Sequence, residues 1–193
     1  MDNPVLRAIQ SRRSVSRVRS ERPSRSQVET VISAGLQAPN HHKTEPWRFV
    51  VVAGSAREAL GLVMEKSLKA RLPEPESEAG RALLAKERNK PLRAPVLIAM
   101  AVVPSDHPKA IEIEEVASGA AAVENMLIAA ESLGLGAMWR TGDAAYDPAV
   151  KRFLGLPDEA HIVAFVYLGH PDMPQLPERS RDLDRFTVWR GWD

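Results

Sequence analysis

The sequence contains no cysteine. That absence excludes a disulfide framework, a thiolate-held metal and a cysteine nucleophile. Net charge is nearly absent too, since lysine and arginine total 26 against 25 aspartates and glutamates, which gives the whole chain no general electrostatic reason to bind nucleic acid or a membrane. No apolar run is long enough to span a bilayer, and the N-terminus lacks the apolar stretch of a signal peptide. A soluble cytoplasmic protein is the expectation. Metal-ligand spacing is missing as well. Neither His-x-x-x-His nor Glu-x-x-His accompanies His41 and His42, whose side chains are expected to diverge as sequence neighbours. There is no Gly-x-Ser-x-Gly elbow for a serine hydrolase. Gly134-Leu-Gly136 follows a helical pattern and precedes a strand, the reverse of a dinucleotide-binding glycine loop, and is rejected as one.

What is present is an apolar fraction of 44% over 193 residues, enough for one domain with a substantial core. The chain is organised around residues 28–53. Val28, Val31, Ile32 and Leu36 recur at helical spacing, and Ser26 with Glu29 makes a capping box, so a helix is expected to end near Pro39. Trp47, Phe49, Val50, Val51 and Val52 form a strand closed by Gly54. Between them Asn40, His41, His42, Lys43 and Thr44 form a loop rich in side chains able to bind a planar, polar-edged ligand.

Elsewhere, Asn3 and Pro4 cap and open a first helix. Ser55 with Glu58 repeats the capping-box spacing at the head of a helix reaching about Leu72. Residues 73–94 are charged and interrupted by proline around one helix near 79–88. They read as an excursion able to act as a lid, or equally as a solvated surface helix. Pro95 to Val103 is too continuously apolar for a half-exposed strand and reads as central. A long helix over 113–133 carries small residues from Ala117 to Ala122, suited to close packing or a subunit interface, and Gly134 ends it. Residues 137–140 form a short strand with donor groups clustered at its end, Asp147-Pro148 cap a helix ending at Gly155, and 161–168 form the last internal strand. The final stretch, 171–193, contains Trp189 and Trp192 and is expected to pack on the body or on a partner as an arm.

Charge is concentrated at one place. Residues 1–26 hold seven arginines against Asp2 and Glu21, a net of +5. An Arg-Arg pair alone is usually a solvated turn. The sharper alternative for Arg12-Arg13-Ser14 is a phosphate clamp, because guanidinium forks bind phosphate oxygens in pairs and hydroxyls complete the shell.

Taken together, Arg12-Arg13-Ser14, Ala38-Pro39-Asn40-His41-His42-Lys43-Thr44-Glu45-Pro46-Trp47-Arg48-Phe49 and Trp139-Arg140-Thr141-Gly142 resemble the FMN-dependent nitroreductase family, in that order and over nearly the whole chain. The likeness is to its short bacterial NAD(P)H nitroreductase members. The resemblance implies an α+β nitroreductase-like fold, with a mixed, mostly antiparallel sheet among helices, in an intertwined homodimer with FMN at the interface. It puts Arg12, Arg13 and Ser14 at the ribityl phosphate, Asn40 and His41 near the same cofactor across the interface, and Trp139, Arg140 and Thr141 along it from the strand end. Gln37 joins the set, although close members often carry arginine there. NADH or NADPH would donate hydride and a small-molecule acceptor, nitroaromatic or quinone-like, would receive it in ping-pong turnover. No catalytic acid, nucleophile or metal ligand is implied. Two rivals are a non-catalytic flavin-binding or regulatory protein and a nucleic-acid-binding protein using the basic N-terminus, which flavin spectra, NAD(P)H oxidation and salt-dependent nucleic-acid binding separate.

Overall fold

The structure, a computed structural model, describes residues 3–177 and 179–192; the two ends of the expected 1–193 domain and Glu178 of the arm lie outside the described residues. Helix α1 spans Pro4–Ser11, with the Asn3 side chain accepting from the N–H groups of Val5 and Leu6 at 2.9 and 3.3 Å. Helix α2, Arg25–Gly35, is capped two residues earlier than expected. Ser24 Oγ accepts from Gln27 N–H at 3.2 Å, and Gln27 Oε1 accepts from Ser24 N–H at 2.9 Å. With those groups satisfied, Ser26 falls inside the first turn and Glu29 pairs instead with Arg25 at 2.7 Å. Helix α3, Ser55–Arg71, is also entered differently: Gly54, at φ 58°, occupies the cap and Ser55 is already helical. A turn straight out of a strand needs that left-handed φ, which glycine supplies cheaply.

Strands β1 (Trp47–Ala53), β2 (Val96–Val102), β3 (Gly136–Arg140) and β4 (His161–Gly169) form one sheet in the order β1-β2-β4-β3, antiparallel at every pair. The parallel contribution is an isolated bridge between Ser14 and Ala137. The expected central strand is β2, buried at all of its positions. Its alternation explains the continuous apolar run. Val96, Ile98, Met100 and Val102 face a core shared with α2 and helix α5 (Glu112–Ser132), while Leu97, Ala99 and Ala101 face a second core under α3 and helix α6 (Pro148–Phe153). Asp147 caps α6, accepting from Ala149 N–H at 2.8 Å.

Helix α4 (Glu78–Arg88), capped by Ser77, packs on α3 so closely that a Cβ at Gly61 would lie 2.2 Å from the Arg88 carbonyl. The segment read as an excursion is thus held against α3 by its helix. Small residues in α5 divide between two roles. Ser118, Gly119 and Ala122 are buried against the sheet, whereas Ala117 is exposed and Ala120 and Ala121 are half-buried. Among the described residues no helix is long and apolar enough to cross a membrane.

Candidate functional site

Arg12, Arg13 and Ser14 leave α1 and run beside the free edge of β3. Val15 N–H donates to the Ala137 carbonyl at 3.0 Å, beside the Ser14 bridge. Gly136 makes that approach possible, since a Cβ there would stand 2.7 Å from Val15 Cγ1. The glycine rejected as a dinucleotide fingerprint is therefore a packing glycine. Trp139, Arg140 and Thr141 lie two to four residues beyond Ala137, about 7–13 Å further along β3.

The two arginines differ sharply. Arg13 is buried, and its guanidinium donates to the carbonyls of Gln10 and Arg12 at 2.7 Å each and of Pro177 at 2.7 and 2.9 Å. It closes the end of α1 and ties down the arm. Arg12 is half-buried, with Nε 3.0 Å from a Glu124 carboxylate oxygen on α5, an ion pair without hydrogen-bond alignment. Ser14 is exposed. Trp139 and Arg140 point to opposite faces of β3, as neighbouring strand residues must. Trp139 Nε1 donates to the Val163 carbonyl at 3.0 Å, next to the register shift between β2 and β4 that leaves Val163 unpaired. Arg140 shares a small cleft with Ser16, Arg93 and Tyr167.

The loop after α2 stands at the other end of α5. Ser118 Oγ donates to the Pro39 carbonyl at 2.7 Å and accepts from Trp47 Nε1 at 3.1 Å. Glu114 meets His41 Nδ1 at 2.7 Å. Within the loop His42, Lys43 and Glu45 have φ of 61°, 55° and 47°, conformations that cost a non-glycine residue about 1–3 kcal/mol each. That reversal of the chain overturns the expected divergence of the histidines. The His41 and His42 rings stack with centroids 3.8 Å apart, and His107 continues the column 4.8 Å beyond His42. Asn40 Oδ1 accepts from Glu45 N–H at 2.8 Å, leaving Asn40 Nδ2 buried without a partner. Such a donor costs about 1–3 kcal/mol until something accepts from it. Gln37 is exposed in the turn before this loop.

One chain therefore fixes Arg12 and Ser14 beside the start of β3 and holds Asn40 and His41 apart from them. Arg12 lies at Glu124 and His41 at Glu114, ten residues or about 15 Å along α5. Size does not identify the site. A cleft of about 860 Å³ lies between α2 and β1 around Arg22, Arg25, Ile32 and Val51 and contains none of the motif residues. Sequence reasoning missed Glu115, a carboxylate only 3% exposed in the first turn of α5. Burial pushes its carboxyl up, but hydrogen bonds from Thr44 and Ser105 hold it below the usual range. In the sequence it is indistinguishable from Glu112 and Glu114, which complement the helix dipole.

The layered α+β frame, with a basic turn beside an edge strand, is the nitroreductase-like fold. The chain belongs to the nitroreductase family, whose model matches residues 9–170. Its relatives include YdjA of Escherichia coli K12, provisionally named an NAD(P)H nitroreductase, which is 32% identical over 88% of this chain and 89% of its own. A nitroreductase-like family protein of Bacillus cereus superposes with a TM-score of 0.78 at 23% identity over 99% of this chain and 98% of that one. A Bacteroides fragilis nitroreductase with bound FMN gives 0.73 at 25% identity over 98% and 100%.

Proposed function

We propose that this chain is an FMN-dependent NAD(P)H oxidoreductase reducing nitroaromatic or quinone-like acceptors, working as an intertwined homodimer. The observation that carries the reading is the turn bearing Arg12 and Ser14, a phosphate-compatible pair fixed beside β3 by the Ser14–Ala137 bridge and by the hydrogen bonds of Arg13. Bound FMN would supply the chemistry, taking hydride from NADH or NADPH and passing it to the acceptor. The chain's own residues bind and orient. Arg12 and Ser14 suit the phosphate, and Arg13 serves them indirectly by fixing the turn they stand on. The unpartnered Asn40 Nδ2, with His41 beside it, would hold a polar edge of the bound flavin and favour negative charge there. Trp139, Arg140 and Thr141 line the strand end, and Gln37 stands at the margin. No side chain acts as acid, base or nucleophile.

The separation along α5 supports the dimer. A twofold-related copy crossing at α5 brings one chain's Arg12 toward the partner's loop. The exposed apolar side of α1 (Val5, Leu6, Ile9), together with Ile113 and the arm residues Phe186, Val188, Trp189 and Trp192, offers the surface to be buried. Steady-state oxidation of NADH and NADPH against a quinone and a nitroaromatic tests the activity. Parallel double-reciprocal lines are expected. Flavin binding without turnover would leave a non-catalytic flavoprotein.

A further inference from the structure

Two loops meet at the first turn of α5, and a single buried carboxylate joins them. Glu115 Oε1 lies 2.5 Å from the Thr44 hydroxyl, and Glu115 Oε2 accepts from Ser105 N–H at 3.0 Å. Thr44 has one proton to give and a second oxygen nearby, Asn40 Oδ1 at 3.3 Å. The shorter contact to the charged acceptor takes it. Asn40 Oδ1 is then left to the Glu45 N–H, and the amide group is turned with its Nδ2 inward and free. The loop so held contains three non-glycine residues at positive φ and relaxes unless its surroundings fix it. Ser118 fixes the two flanks of the loop and the His41 contact with Glu114 is exposed, so among the described residues the Thr44 tether is its anchor to a buried carboxylate.

We infer that Glu115 is a positioning residue for the cofactor site: through Thr44 it holds the 40–45 loop in the strained form that presents Asn40 and His41. This rests on the flavin reading above, and Glu115 itself touches no cofactor. Its effect is one of preorganisation, so removing it weakens cofactor binding and changes the flavin's surroundings while the phosphate clamp stays intact.

The test compares Thr44→Val, Thr44→Ser and Glu115→Gln with the wild type. Amide hydrogen exchange of residues 40–45 is measured in flavin-free protein, and FMN affinity and the bound-flavin spectrum by titration. Thr44→Val and Glu115→Gln are expected to speed exchange in the loop, weaken FMN binding about tenfold and shift the spectrum. Thr44→Ser, which keeps the hydroxyl, is expected to behave as wild type. The double variant Thr44→Val/Glu115→Gln is expected to bind FMN no worse than Glu115→Gln alone. Should Glu115→Gln fail to fold, Thr44→Val breaks the same tether from the loop side and leaves the Ser105 contact in place. Unchanged loop exchange in Thr44→Val, or faster exchange with unchanged FMN affinity and spectrum, overturns the inference. Wild-type protein that binds no FMN overturns the flavin reading and this inference together, and that result is seen before any substitution is made.

Discussion

Arg12 and Arg13 are neighbours in sequence with different surroundings, and the difference predicts different variants. Arg13→Ala strips donors from three backbone carbonyls and frees the arm at Pro177, so stability should fall by about 1.5–3 kcal/mol in urea unfolding. Arg12→Ala removes a half-buried guanidinium paired only at its edge, so it should leave unfolding nearly unchanged and weaken FMN binding by roughly one to two decades. Equal losses of stability in both would refute the division. The sequence revealed the residue types at this turn. It could not reveal which arginine turns inward, because that depends on a carbonyl 164 residues away. Buried carboxylates give a second test at this scale. Burial pushes the Asp147 carboxyl up, but the Ser67 hydroxyl, the Ala149 and Val150 N–H groups and the charge of Arg71 hold it below its ordinary range. A folded pKa below the unfolded one contributes stability in full above about pH 4, and that contribution fades as pH falls through the folded value. Asp147→Asn should therefore lower stability at neutral pH and flatten the acid limb of a stability profile measured by urea unfolding. An acid limb as steep as that of the wild type would remove Asp147 from the account.

At the scale of elements, periodicity located every strand, and β2 was identifiable as central because both of its faces are apolar. Caps were harder to read. Ser26 and Ser55 each have an acidic residue three positions on, yet Pro23-Ser24 and Gly54 start the helices, since the chain's path into each element outranks local spacing. The 40–45 loop was visible as polar and functional, but its reversal at His42 and the three-ring column were not, because positive φ at a histidine has no signature of its own. The passage of residues 12–18 beside the sheet edge gives a prediction. Gly136→Ala places a Cβ 2.7 Å from Val15 Cγ1, so the segment must lift from β3. Stability should fall by about 1–3 kcal/mol and FMN affinity should fall with it, although the residue touches no ligand. Calorimetry with flavin titration reads both. A variant with normal affinity would show that the clamp does not depend on this contact.

For the whole molecule, one chain holds the two halves of the candidate site about 15 Å apart along α5 and leaves apolar side chains of α1 and the arm exposed. The resemblance already put Asn40 and His41 across the interface from the clamp, but the spacing between the two halves along α5 has no signature in the motifs. The central claim is that cofactor and assembly are inseparable. Sedimentation velocity of the purified protein, recorded at both protein and flavin absorbance, tests it most directly. FMN should travel with a dimer at micromolar concentration, with no flavin in any monomer boundary. A stable FMN-loaded monomer, or a dimer that remains colourless when FMN is added, would contradict it.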